Sequence, residues 1–141
     1  MMRRTGRISL QLIAATACTL ALTNCGDRGQ DQPDPLAIAD VSGKSIAEVS
    51  DHVPSDATLL VQQPSIESKD APLYDSSQQT STRWIVLAGC SDQKDLDSSD
   101  SVEVSVIPQD DYDKSMKSHV ASGDLADTVT CDGRKYHSDP A

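Results

Sequence analysis

The chain has 141 residues and a formal net charge of −10, with 22 acidic residues against 12 Lys and Arg. That length suits one small domain, and that charge excludes nucleic acid as a ligand, because clustered cations that neutralise phosphates supply most non-specific affinity for it. With no Phe and only Trp84, Tyr74, Tyr112 and Tyr136 as aromatics, the core must be built from Val, Ile, Leu and Ala, and small cores of this kind lean on disulfides in oxidising compartments.

Residues 1 to 7 carry Arg3, Arg4 and Arg7, and the chain has no acidic residue before Asp27. Ile8 to Leu22 follow as a mostly apolar stretch of the length of a signal-peptide hydrophobic region, too short to span a bilayer comfortably. Leu22-Thr23-Asn24-Cys25, then Gly26-Asp27, resembles the lipobox of bacterial lipoproteins, where an aliphatic residue stands three before the cysteine. The resemblance implies a signal peptide over 1–24, cleavage before Cys25, a diacylglyceryl and N-acyl (palmitate-type) lipid on Cys25, and an extracytoplasmic protein held to the cell membrane by that lipid. The other reading is a secretory signal cut after Ala21, which leaves Cys25 as a thiol. Cysteine arithmetic favours lipidation: Cys18 leaves with the signal, Cys25 takes the lipid, and Cys90 pairs with Cys131. That disulfide would close a loop of about 40 residues, worth ~4 kcal/mol by the chain-entropy model.

Gly26 to Ala37 (GDRGQDQPDPLA) offers almost nothing to bury, so residues 25–37 are expected to form a flexible tether and residues 38–141 the folded domain. Within it, Asp40-Val41-Ser42-Gly43 is a turn signal. Ser45 and Glu48 have capping-box spacing, and Ile46, Val49 and Val53 recur at helical intervals until Pro54 ends the run. Thr58 to Gln62 reads as a strand and Gln63 to Ser81 as a long polar loop. Arg83 to Gly89 places Trp84, Val86 and Ala88 on one face and Ile85 and Leu87 on the other, the pattern of a central strand covered on both sides. Ser101 to Ile107 alternates, with Val102, Val104 and Val106 expected inward and Ser101, Glu103 and Ser105 expected in water. Tyr112, Met116, His119 and Val120 suggest a second helix stopped at Ser122-Gly123, and Asp127 to Cys131 reads as a last strand followed by an Asp132-Gly133 turn. The fold class is therefore α+β: one or two helices on a three- to four-stranded, mainly antiparallel sheet.

The run Val41-Ser42-Gly43-Lys44-Ser45-Ile46-Ala47-Glu48-Val49, with Tyr74-Asp75 ahead of Trp84-Ile85-Val86 and the alternating strand Val102 to Ile107, resembles a PASTA domain of the single-module actinobacterial type. The likeness covers residues 38 to 108. It implies one helix packed on a three-stranded sheet and a non-enzymatic module of the cell envelope, some relatives of which recognise cell-wall fragments.

Side-chain chemistry points the same way. The three histidines, His52, His119 and His137, stand in no nucleophile, zinc or nucleotide motif. Asp92, Asp95, Asp97, Ser99 and Asp100 form one acidic loop, in which Asp95, Asp97 and Ser99 match the first side-chain ligands of a calcium loop. Asp100 stands where such loops need Gly, and Val106 where they need a closing Glu. A solvated loop is the main reading and a Ca2+ site the alternative; no cofactor beyond the lipid is expected. The expected function is a membrane-anchored binding or scaffolding module that contacts peptidoglycan or an envelope protein, with a small envelope enzyme or enzyme inhibitor as the alternative.

Overall fold

A computed structural model describes residues 34–65 and 72–140. The expected signal peptide, Cys25 and most of the expected tether lie outside the described residues. The folded part starts slightly earlier than its sequence suggests. The Leu36 carbonyl accepts a hydrogen bond from Leu96 N at 2.9 Å, and Ala37 bridges to Asp95, so Leu36 and Ala37, expected in the tether, are bound to the acidic loop.

Helix α1 spans Ile46–His52, and its first turn is fixed by a full capping box. Ser45 Oγ accepts from Glu48 N at 3.3 Å, while the Glu48 carboxylate accepts from Ser45 N at 2.8 Å and from Ser45 Oγ at 2.7 Å. Two otherwise orphaned backbone donors are thereby satisfied. The turn ahead of the helix depends on Gly43, whose φ of +82° suits glycine and whose N–H donates to Val86 O at 2.8 Å. Ile46 and Val49 are fully buried on the helix face that meets the sheet.

The sheet holds β1 (Thr58–Gln62), β2 (Trp84–Ser91), β3 (Ser101–Pro108) and β4 (Tyr136–His137) in the order β1-β3-β2-β4. Strand β3 runs antiparallel to β2 and parallel to β1, and β4 runs antiparallel to β2. The domain is thus α+β with two helices and a mixed sheet. Along one face Val102, Val104, Val106, Trp84 and Val86 pack with Ile38, Val41, Ile46, Val49 and Leu96. Tyr74 meets Trp84 edge to face, ring centroids 5.3 Å apart, at the end of that core.

Three expectations are corrected on the other face. First, Ala88 does not share a face with Trp84 and Val86. The register of β2 on β3 slips between Val86 and Ala88, a bulge that inserts Leu87 and turns Ala88 to the second face, where it packs with Cys90 and Val129. Second, Glu103 and Ser105 are buried, not in water, and Ser101 is half-buried. Third, Asp127 to Cys131 is not a strand: Ala126–Thr128 forms a 3-10 turn, and the chain continues as an irregular crossing before pairing as β4.

One cause underlies the last two corrections. Helix α2 (Lys114–Ser122), capped by Asp113 and stopped by Gly123 in the left-handed region, covers Leu87 and Ile107 with Val120. The segment after it then crosses the rest of the second face. A polar side chain on β3 is covered there instead of solvated.

Replacing Ser45 with Ala should cost about 1 kcal/mol of stability, measured as a lowered denaturant midpoint at unchanged slope. The same box gives a pH dependence. Hydrogen bonds from the Ser45 side chain and backbone hold the Glu48 carboxyl below the usual glutamate range, so its contribution is complete above the unfolded-state pKa and declines as pH falls through the folded one. Ser45→Ala should therefore lose less stability on acidification than the parent chain does.

Candidate functional site

Two polar places stand out on the described surface and beneath it. The first lies under the C-terminal crossing. Glu103, only 3% exposed, forms an ion pair with Arg134 and accepts a hydrogen bond from Gln62 Nε2. Arg134 Nη2 donates to Ser101 Oγ at 2.8 Å, and Gln62 Nε2 also reaches Thr130 Oγ1 at 3.1 Å. Further along, the Ser105 and Thr128 hydroxyls lie 2.6 Å apart. β1 supplies Gln62, β3 supplies Ser101, Glu103 and Ser105, and the crossing supplies Thr128, Thr130 and Arg134. The disulfide pins this crossing: Cys90 and Cys131 are bonded at an S–S distance of 2.13 Å, with Cα atoms 5.8 Å apart.

The arrangement is structural in character. A buried carboxylate needs a partner in low dielectric; Arg134 and Gln62 supply it to Glu103, while Arg134 Nε is itself buried without a hydrogen-bond partner among the described residues. Sequence reasoning missed both ends of the pair. Glu103 follows the strict alternation of an exposed strand position, and Arg134 follows a turn with no periodic signal. The pointer was Cys90, which had to be reached by Cys131 and so had to draw the tail across the second face.

The second place is a shallow pocket of about 360 Å³ beside α1, lined by Asp34, Pro35, Leu36, Lys44, Glu48, Asp51 and His52. At its edge His52, with 13% of its side chain exposed, lies 3.3 Å from Asp97 through Nδ1. His52 thus meets the acidic loop and not its neighbour Asp51. The described residues lining this pocket include no Ser, Thr or Cys, and Ser45 Oγ donates to Glu48 as part of the helix cap. Of the other histidines, His119 is exposed beside Asp124 at 3.3 Å, and His137 lies in β4 opposite Cys90.

The acidic loop does not assemble a cation site. Asp92 Oδ1 accepts from Ser101 N at 2.9 Å, Asp95 O accepts from the hydroxyls of Ser98 and Ser99 at 3.0 Å, and Asp97 is turned to His52. Ser99 is buried and Asp100 is exposed. These bonds are those of a tight turn joining β2 to β3, in which the polar groups serve the backbone. Among the described residues no three His, Cys, Asp or Glu side chains gather closely enough to hold a metal ion, and no helix is long and apolar enough to cross a membrane. Searches of protein-family models, curated proteins and solved structures gave no match to this chain.

Removing one member of the buried pair is expected to be severe. Arg134→Ala leaves the Glu103 carboxylate unpaired and should cost on the order of 3–5 kcal/mol. The double variant Glu103→Met with Arg134→Met should recover most of that loss, because it removes both charges and keeps much of the volume. Chemical denaturation of the three proteins side by side checks this; a double variant as unstable as Arg134→Ala would contradict it.

Proposed function

We propose that this chain is an exported lipoprotein, anchored through lipid on Cys25 to the outer side of the cell membrane, and that its folded domain is a non-enzymatic binding or scaffolding module of the cell envelope. The observation that carries the proposal is the junction at residues 22 to 27, where an apolar stretch ends in Leu22-Thr23-Asn24-Cys25 and the chain turns polar at Gly26-Asp27. The cysteine bond at residues 90 and 131 supports it from a separate direction, since such bonds persist in exported proteins and are rare in the reducing cytosol.

The binding role is supported by what the polar residues are already engaged in. Glu103 and Arg134 neutralise each other inside the fold, Ser45 and Glu48 cap a helix, and the acidic loop closes a turn. None of these groups is held in reserve for bond-making. The turn Val41-Ser42-Gly43 leading into α1, with α1 on one face of the sheet, agrees with the PASTA likeness, which makes peptidoglycan or an envelope protein the partner to test first.

Intact mass of native material should show a chain beginning at Cys25 and carrying acyl groups. Cys25→Ala should shift the protein from the membrane fraction to the soluble one, because one acyl chain gives only marginal anchoring and the two or more expected here give a stable one. Unmodified material beginning at Leu22, or still carrying Met1, would refute the anchor. The binding role is checked separately by retention on purified peptidoglycan above that of an acidic control of similar size.

A further inference from the structure

The two edges of the sheet are treated differently. On the β2 side the edge is occupied along its length. Gly43 N donates to Val86 O and Val86 N donates to Lys44 O, both at 2.8 Å, while Tyr136–His137 pairs with Cys90 and Ser91. The short β4 is itself screened, with Asp139 N donating to Ala39 O at 3.0 Å. On the other side β1 is paired, among the described residues, to β3 alone.

The direction of its hydrogen bonds says which groups remain open. Thr58 N donates to Asp100 O at 2.9 Å, so Thr58, Leu60 and Gln62 turn their backbone groups toward β3, while Leu59 and Val61 turn theirs outward. Among the described residues no backbone group takes them up. Strand edges of this kind are normally blunted by charge, by Pro or by a bulge. Here Ala57 to Ser65 carries no charge, and Pro64 falls after the strand. Leu60 stands 45% exposed in the middle of it, one of two large exposed hydrophobic residues among those described.

We propose that β1 is the contact through which two copies of this chain pair, edge to edge and antiparallel, about a two-fold axis at Leu60. The register follows from the hydrogen-bond directions. Centring the axis on Leu60 sets Leu59 opposite the second copy's Val61 and Val61 opposite its Leu59, and each of these pairs exchanges both N–H···O bonds. Leu60 then faces Leu60 across the axis as a non-bonded pair with Cα atoms ~4.5 Å apart, covering the exposed leucine of each copy. Thr58 falls opposite the second copy's Gln62, on the same face as Leu60.

Charge selects this strip as the place where two copies can meet. A chain of net charge −10 repels its own copy over most of its surface, and a self-contact must lie where no acid faces another. In this register the uncharged run from Ala57 to Gln63 lies against itself, and Asp56 falls opposite Pro64, not opposite another acid. The pairing is isologous, the same patch on both partners, which is the commonest form of homo-oligomer, and it joins two four-stranded sheets into one of eight strands.

The test uses the full chain with Cys18 and Cys25 replaced by Ser, so that an introduced cysteine is the one thiol outside the bonded pair. After mild oxidation, Leu60→Cys should run as a reducible dimer, whereas Leu73→Cys, at a residue 84% exposed, should remain monomeric. Sedimentation velocity at tens of micromolar should give a doubled mass for the parent and a single mass for Leu60→Lys, with unchanged circular dichroism because the residue lies outside the core. A parent of single mass, a Leu60→Lys protein that still has doubled mass, or equal cross-linking at residues 60 and 73 overturns the proposal. So does a parent that stays single and instead takes up an extended peptide along β1.

Discussion

The second face of the sheet can exist only because the chain after α2 is drawn across it. The bond between Cys90 and Cys131 joins a buried position on β2 to the middle of that crossing, and everything packed on this face follows from it. Val129 comes to rest on Ala88 and Cys90, Thr128 reaches Ser105, and Arg134 reaches Glu103. The crossing has little regular structure of its own and few apolar side chains, so hydrophobic burial alone would hold it weakly. Cross-linking lowers the entropy of the unfolded chain, and the local contacts then need only select one arrangement of a segment that is already confined.

Confinement also explains how a charge is tolerated inside so small a domain. Burying Glu103 without a partner would cost more than a core lacking large aromatics could offset. Two residues separate the disulfide from Arg134, and this Asp132-Gly133 turn sets the guanidinium back over β3, with Ser101 holding its other end. Pairing of this kind adds little net stability compared with an apolar pair of equal volume. Its effect is on uniqueness: a slip of the crossing by one residue would take Arg134 off Glu103 and strand a buried carboxylate, so alternative arrangements of the tail are disfavoured.

The elements on the α1 side were legible in the sequence because local and global preferences agree there. Ser45 and Glu48 cap the helix they were expected to cap, Thr58 to Gln62 forms a strand, and the Val102, Val104 and Val106 set points into the core. The other side was less legible, for two physical reasons. A bulge at Leu87 leaves no mark in an all-apolar run, so the face of Ala88 was misassigned although the strand was not. The period-two pattern of β3 states which residues share a face but not whether that face meets water, and a segment 23 to 31 residues downstream decides that for Glu103 and Ser105. The acidic loop was misleading in another way. Its Asp and Ser spacing echoes part of a cation-binding loop because both need side chains that bond a tight turn's backbone; here Asp92 and Ser99 serve that need alone.

Where the fold leaves valence unspent is then a narrow question. Among the described residues, the side chains with the most chemical potential are committed: the buried acid to its arginine, the helix-capping serine to its glutamate, and His52 to Asp97. Apart from three buried polar atoms, Tyr74 Oη, Asp97 Oδ2 and Arg134 Nε, what is left open there is backbone. Leu59 and Val61 present donors and acceptors along an uncharged strand, beside an exposed leucine, on a protein otherwise covered in acid. Backbone recognition at a strand edge gains affinity from main-chain hydrogen bonds and selectivity from the few side chains that flank them. An uncharged edge of this kind can act by contact alone, its main chain supplying the bonds and Leu60 the apolar surface beside them.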